Sequence, residues 1–281
     1  MALILPREIV VWYKILFLSI PVLFIYHDIL YEMGLDWWRD ENYSHGFLIP
    51  IVSLYLIAKK WDSLKRNSIS PSWWGPVVLA WGLFVLIIGV AGAELFTMRI
   101  SFIFVVVGLT LCLFGKDVLK DLGFPIFFLV FMVPLPYIVY NSLTLPLKIL
   151  ASKLAVYLLS PLGIPVFREG SIIYFPEVTL EVAEACSGIR SLMALIALGT
   201  LFSYFFQSSL SRRILLVSST IPIAIFANAL RITLTGILAF YLSPKIAHGF
   251  FHYLSGWLVF LIAFACLMLI NVGLNRINDE R

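Results

Sequence analysis

Eight apolar runs of near-membrane length restrict this chain to a fold that lies within a lipid bilayer. The runs lie approximately at residues 9–30, 44–60, 75–93, 99–115, 122–140, 189–206, 213–242 and 250–273. A helix needs about 20 apolar residues to cross the hydrocarbon core. Only 13% of the 281 residues are charged, whereas soluble domains carry about 25%. The sequence therefore predicts an all-α polytopic membrane protein with about eight transmembrane helices, forming one integral membrane domain over residues 1–281.

The loops between the runs predict the orientation of the helices. Under an alternating topology the basic residues share one side: Arg7, Lys59, Lys60, Lys65, Arg66, Lys116, Lys120, Arg212, Arg213, Arg276 and Arg281. Cytoplasmic loops are enriched in Lys and Arg, so this side and both termini are predicted to be cytoplasmic. The net charge of +4 then reflects topology, and no basic patch with interleaved aromatic residues indicates nucleic-acid binding.

One extramembrane stretch, at about 141–187, separates the fifth and sixth runs. Pro134 and Pro136 interrupt the fifth run, and proline breaks the helical hydrogen-bond ladder. We interpret 142–160 as an amphipathic helix lying on the outer face, with a re-entrant hairpin as the alternative. Turn residues then punctuate short alternating runs in 161–185, which predicts a small β-hairpin just before Cys186.

A short polar cluster stands where that loop meets the sixth apolar run. It contains Glu181, Glu184, Cys186, Ser187 and Gly188, and Arg190 follows one turn later. Cys186 or Ser187 can cap the following helix, and Gly188 permits close approach of the backbone. The helix N-terminus and Arg190 both favour a thiolate at Cys186, whereas the two glutamates oppose it. From spacing alone, a small interfacial residue beside a solvated helix cap is an equal alternative to a catalytic thiol.

Asn228 and Arg231 lie well inside the seventh apolar run. An arginine near the middle of a bilayer costs roughly 2.5–3.5 kcal/mol, so it normally faces a polar cavity or partner. One interpretation is a structural ion pair with Glu94, Glu181 or Glu184. The other is an anion holder that opens to the outer side and stabilises an oxyanion.

Histidines supply the remaining candidate groups on the predicted outer side. His248 and His252 are four residues apart, but no neighbouring carboxylate completes a zinc motif, and we predict no metal site. His252 is the better candidate for a base beside a thiol. His45, at the start of the second run, is interpreted as supporting the site or capping its helix. Cys186, Arg231 and His252 thus supply a nucleophile, an oxyanion stabiliser and a base on one membrane face.

Three ordered motifs in this chain resemble those of the exosortase/archaeosortase family. They are Glu184-Ala185-Cys186-Ser187-Gly188-Ile189-Arg190-Ser191-Leu192, then Asn228-Ala229-Leu230-Arg231-Ile232, then His252 followed by Gly256-Trp257. The resemblance extends from about His45 to the last helix. It implies a membrane-embedded cysteine peptidase or transpeptidase of protein sorting, with Cys186 as nucleophile, Arg231 as transition-state arginine and His252 as acid/base.

The resemblance also implies the partners and the location. The substrates would be membrane-anchored proteins that carry a C-terminal Pro-Glu-Pro-type (PEP-CTERM-like) motif, a transmembrane helix and a basic tail. The enzyme would lie in the inner (cytoplasmic) membrane of a bacterium, face the periplasm or exterior, and use no cofactor. Glu184, Ser187, Gly188, Arg190, Asn228 and His45 are predicted as supporting residues.

Two other classes of protein fit part of the pattern. A transporter or flippase would use the broken fifth helix and the intramembrane Asn228 and Arg231 to line a solute path. The chain lacks matching broken segments in two halves, which argues against this interpretation. A non-catalytic scaffold of an exopolysaccharide or sorting assembly would leave Cys186 incidental.

Overall fold

The computed structural model describes residues 7–67, 69–176, 179–181, 188–241 and 250–279, with the backbone alone at 7–16, 18, 181, 250–254 and 277–279. Within these ranges, six helical segments are long and apolar enough to cross a membrane: Trp74–Ala91, Leu95–Leu113, Tyr137–Leu162, Ile189–Phe206, Leu210–Tyr241 and Ser255–Arg276. The predicted all-α polytopic membrane fold is therefore confirmed. The predicted number of eight spans is not confirmed.

The chain divides into two compact units, Met1–Pro136 and Tyr137–Arg281, here called the N-terminal and C-terminal units. The N-terminal unit contains α1 (Arg7–Arg39), a 3-10 helix (Glu41–Phe47), α2 (Leu48–Lys59), α3 (Trp61–Arg66), α4 (Trp74–Ala91), α5 (Leu95–Leu113), α6 (Lys116–Phe128) and a second 3-10 helix (Leu129–Met132). The C-terminal unit contains α7 (Tyr137–Leu159), a 3-10 turn (Ser160–Leu162), strands β1 (Phe167–Glu169), β2 (Ile172–Tyr174) and β3 (Thr179–Glu181), then α8 (Ile189–Phe206), α9 (Leu210–Tyr241) and α10 (Phe250–Asp279). The single domain over 1–281 stays a prediction.

Two predicted runs are broken in the structure. The run at 44–60 is a 3-10 helix followed by the 12-residue α2. The run at 122–140 is divided among the end of α6, the second 3-10 helix and the start of α7. Pro134 and Pro136 lie in the non-helical segment before α7, because neither can donate the backbone hydrogen bond that would continue the helix.

Helix α7 corrects the predicted boundaries of the amphipathic helix at 142–160. It begins at Tyr137, five residues earlier, and its apolar content places it among the six candidate spans. It also packs beside α9: Leu147 and Ala151 line a small cavity with Asn228, and a Cβ built on Gly236 would lie 3.4 Å from Leu159 Cδ1. The two helices therefore run in the same direction over three turns of α7. The predicted position of this segment on the outer face stays a prediction.

Polar contacts fix the N-terminal unit at both ends. Arg99 of α5 is 3% exposed and donates to Asp36 of α1 across 2.6 Å. At the other end, Asp121 accepts hydrogen bonds from Ser63 and Asn67, both at 2.8 Å. The segments that carry Lys60, Lys65 and Lys120 therefore lie together, and their cytoplasmic position stays a prediction.

A three-stranded antiparallel sheet covers part of α7 and α9 in the C-terminal unit. Its β2–β3 pair is the predicted hairpin, and β1 adds a third strand beside β2. Ile173, at its centre, is fully buried against Leu159 and Ile232 in one apolar cluster. Ser152 of α7 donates to the Gly170 carbonyl in the β1–β2 turn, at 3.1 Å. The last strand of the sheet, β3, ends at Glu181, seven residues before Gly188.

Helices α8, α9 and α10 form the remaining core of the C-terminal unit. Leu195, Ala224 and Ala263 bring one small or branched apolar side chain from each helix into the same cluster. At the end of the bundle that carries Arg213, the Gln207 side chain donates to Asn271 Oδ1 at 2.7 Å. Arg213 in turn donates to the Gln207 carbonyl at 2.8 Å. Buried polar groups in lipid need such partners, so this cluster fixes the register of the three helices.

Candidate active site

Helix α9 carries an amide and a guanidinium in its second half, which is otherwise mostly apolar. Asn228 is 4% exposed and Arg231 is partly buried, and the two are three residues apart. Residues at this spacing lie next to each other on a helix surface. The amide and the guanidinium therefore occupy one patch of α9.

Gly188 brings the start of α8 against this patch. A Cβ built on Gly188 would lie 2.9 Å from Asn228 Cγ and Nδ2, closer than real side chains approach. Gly188 also has φ +80°, in the left-handed region that favours glycine. Only glycine meets both requirements without strain, so the residue holds the entrance to α8 against Asn228.

Gly256 brings α10 against the same patch from another direction. A Cβ built there would lie 3.7 Å from Arg231 Cζ and 3.8 Å from one terminal guanidinium nitrogen. His252 precedes Gly256 by four residues in the same helix. Since residues four apart share a helix face, His252 lies on the face of α10 that meets Arg231, one turn beyond the contact.

Part of the predicted site lies outside the described residues. Cys186, Glu184, Ser187 and His248 are in this group, and His252 is described by its backbone alone. The structure does correct the predicted helix cap. The cap position of α8 is Gly188, so neither Cys186 nor Ser187 occupies it.

The N-terminus of α8 is well defined beyond the cap. The backbone N–H of Leu192 and the Ser191 hydroxyl both donate to the Gly188 carbonyl, each at 2.9 Å. Arg190 is partly buried in the first turn. A helix start of this kind concentrates backbone N–H groups and the positive end of the helix dipole, which stabilises a negative charge nearby.

His45 lies in the N-terminal unit, within the 3-10 helix that precedes α2. Asp40, not His45, caps that helix by accepting from the Asn42 N–H at 2.9 Å. Burial lowers the pKa of His45, and hydrogen bonds with the backbone of Phe131 and Asn42 oppose this shift. The interpretation of His45 as a cap is therefore wrong, and its support of the site stays a prediction.

A family model described as transmembrane exosortase (Exosortase_EpsH) matches residues 37–269 of this chain. The chain belongs to the transmembrane exosortase family. The predicted family is thus confirmed, and membership suggests a role in protein-sorting processing. No curated protein and no solved structure matches the chain. This exosortase is accordingly a multi-pass membrane protein of a family that is generally cysteine-peptidase-like.

The sequence did not predict two features of the fold. The pairing of Arg99 with Asp36 was missed, because Arg99 is the first residue of the fourth apolar run and the sequence does not distinguish it from a loop residue. The contact between Gly256 and Arg231 was also missed. A glycine within an apolar helix gives no indication of which residue of another helix it faces.

The lowered pKa of His45 predicts how the stability of the N-terminal unit depends on pH. A histidine whose pKa is lower in the folded than in the unfolded chain takes up a proton when the chain unfolds in mildly acidic solution. Its stabilising contribution is then complete above the unfolded pKa of about 6.5 and decreases as the pH falls below it. We expect wild type to lose more thermal stability than His45→Gln between pH 7.5 and pH 5.5.

The matched control is His27→Gln, because His27 is an exposed histidine of α1. This variant should keep the wild-type pH dependence when melting is followed by size exclusion after heating. An identical loss of stability in wild type and His45→Gln would contradict the assignment of His45 as a buried neutral group.

Proposed function

We propose that this exosortase is a cysteine transpeptidase that cleaves proteins bearing a C-terminal PEP-CTERM-like sorting signal. The signal consists of a Pro-Glu-Pro-type motif, a transmembrane helix and a basic tail. Cleavage takes place at the outer face of the cytoplasmic membrane, where the enzyme has both termini inside and its site facing the periplasm or exterior. The bond lies N-terminal to the substrate helix, and the acyl group passes to an amine or to water.

The proposal rests on two contacts that α9 makes, one with the start of α8 and one with α10. Asn228 meets Gly188, which is two residues after Cys186, and Arg231 meets Gly256, which is one turn from His252. Each of the three sequence motifs therefore contributes a residue to one patch at one end of the α8–α9–α10 bundle. Nucleophile, oxyanion donor and base must converge within a few ångströms for acyl transfer, and this packing favours that arrangement.

The first chemical step uses the thiol. His252 takes the proton of Cys186, and the N-terminus of α8 stabilises the thiolate that forms. The thiolate attacks the carbonyl carbon of the scissile peptide bond and gives a tetrahedral oxyanion. Arg231 donates to this oxyanion, and a donor of this kind is worth about 10²–10³ in rate.

The second step releases the membrane-anchored part of the substrate. The C–N bond breaks, and protonated His252 gives its proton to the leaving amine. A thioester joins the N-terminal part of the substrate to Cys186. An incoming amine or water then attacks the thioester with His252 acting again as base, which regenerates the free thiol.

Replacing Cys186 by Ala tests the proposal directly. A tagged substrate with a Pro-Glu-Pro motif, a transmembrane helix and a basic tail is co-expressed with each variant. We expect wild type to remove the tail and Cys186→Ala to leave only host background, because the proposed thioester forms on the Cys186 thiol. Gel shift and mass spectrometry of the tagged product report the cleavage and its position.

Cys112→Ala is the matched control, since its thiol is free and lies in α5 of the N-terminal unit. This variant should process the substrate like wild type. Equal cleavage by wild type and Cys186→Ala would assign processing to the host and favour a transporter or a scaffold instead.

A bulky side chain at residue 256 should disable the site without touching the thiol. Gly256→Leu places a branched side chain where the Arg231 guanidinium lies, and small displacements of catalytic groups cost about 10²-fold in rate. We expect Gly256→Leu to lower processing by about that factor. Gly256→Ala should be tolerated, since the added Cβ would make only ordinary contacts at 3.7 Å and beyond.

Gly273→Leu is the control on the same helix, because nothing lies within 4 Å of a Cβ built there. It should process the substrate normally, and all three variants should elute as folded protein. Normal processing by folded Gly256→Leu would show that Arg231 takes no part in the reaction.

A further inference from the structure

An apolar groove lies between α9 and α10 on the surface of the C-terminal unit. It encloses about 270 Å³ and is lined by side chains from these two helices alone. Its rim is exposed: Phe226 of α9 is 54% exposed and Ile262 of α10 is 37% exposed. The rest of the described chain therefore leaves this groove open.

On α10 the helix face that lines the groove also carries the proposed base, His252. Ala263, Cys266 and Ile270 line the groove. The same helix face continues outward through Gly256 to His252. The series 252, 256, 259, 263, 266, 270 has alternating steps of four and three residues, which keeps its members on one face of a helix.

On α9 the groove ends one turn before the catalytic arginine. Ser219, Ile223 and Ala227 line it at successive four-residue steps. Arg231 follows Ala227 by four residues and is its neighbour on the helix surface. The α9 wall of the groove thus ends one turn before Arg231, and the α10 wall ends at Ile262, ten residues after His252 in the same helix.

The lining of the groove suits an apolar helix. Ala227 and Ala263 form its floor and are 3% and 1% exposed. Both alanines pack into the core of the bundle, so the larger side chains of the rim form the contact surface of the groove. The larger exposed side chains of Phe226 and Ile262 would then flank the incoming helix on both sides.

We propose that this groove is the docking site for the transmembrane helix of the substrate, an inference that rests on the proposed function. The scissile bond of such a substrate precedes its helix. A helix lying in the groove therefore has its outer end, and the scissile bond, between Arg231 and His252. The α9 wall of the groove ends one turn before Arg231, so a helix in the groove lies in line with that residue.

The proposal fixes the register of the bound helix. The substrate helix runs parallel to α10, because both begin at the end of the bundle that carries the site. Cys266 follows His252 by fourteen residues, which is about 21 Å along a helix. A substrate residue about fourteen positions after the scissile bond therefore lies beside the Cys266 thiol.

Cysteine cross-linking tests this register in the membrane. The chain has three cysteines, so Cys112→Ala with Cys186→Ala leaves Cys266 alone and keeps the substrate uncleaved. Single cysteines are then placed at successive positions of the substrate helix, and disulfide formation is induced by a mild oxidant. We expect adducts centred about fourteen residues after the cleavage site, recurring every three or four positions.

The matched control keeps Cys112 of α5 as the only cysteine and should give no adduct. The cleavage site itself is taken from the product of wild-type enzyme, so absent cleavage counts against the proposed function and not against the groove. If wild type cleaves but Cys266 forms no substrate adduct at any position, the docking proposal is overturned. Adducts that join Cys266 of two enzyme molecules in place of substrate would likewise overturn it, in favour of self-association.

Truncation of the rim gives a second measurement that leaves the core intact. Phe226→Ala with Ile262→Ala should raise the KM for the substrate about tenfold or more, as lost apolar contacts do, with kcat unchanged. Phe84→Ala is the control, because Phe84 is 51% exposed on α4. An unchanged KM in the double variant would contradict docking in the groove.

Discussion

The presence of a guanidinium and an amide inside an apolar helix is the constraint on which the C-terminal unit depends. A charged side chain within a bilayer costs several kcal/mol unless it faces polar groups or water. Arg231 and Asn228 therefore require neighbours that approach without covering them with apolar side chains. Gly188 and Gly256 meet this requirement, because each lets backbone come within contact distance of one of the two polar groups. The packing of α8 and α10 around α9 follows from that demand.

The two ends of the α8–α9–α10 bundle are stabilised in different ways. At the end with Arg213, the Gln207 side chain donates to Asn271 and the Gln207 carbonyl accepts from Arg213, and these bonds fix the register of the helices. At the other end, close contacts at Gly188 and Gly256 bring the three motifs together. The hydrogen bonds of Gln207 hold one end of the bundle rigid and thereby position the reactive groups at the other end, as precise sites built on helices require. The open groove along α9 and α10 joins the two ends.

Much of the fold could be predicted because hydropathy and helix length determine it. The segments α4, α5, α8 and α9 lie close to the predicted runs, and the β2–β3 hairpin lies where alternating residues and turn formers indicated it. The break at Pro134 and Pro136 was also evident. The extent of α7 was not, because Lys148 and Lys153 suggested a surface helix, whereas Ala151 and Ala155 pack into the core.

The candidate site could be predicted in its residue types but not in its packing. Asn228 and Arg231 are polar residues in an apolar run, so the sequence alone singles them out. The contact of Arg231 with Gly256 depends on how α9 and α10 are rotated about their axes, and local sequence carries no such information. The cap of α8 was predicted one or two residues early, because a left-handed Gly188 competes with the preferred capping residues.

Detection of a thioester between substrate and Cys186 tests the central claim most directly. Purified enzyme is mixed with tagged substrate, quenched in acid and analysed by intact mass spectrometry. The account predicts an adduct of the N-terminal substrate fragment on the peptide that contains Cys186, which hydroxylamine removes and Arg231→Gln diminishes. Cleavage of the substrate by Cys186→Ala at the wild-type rate, with no adduct on the wild-type enzyme, would contradict it.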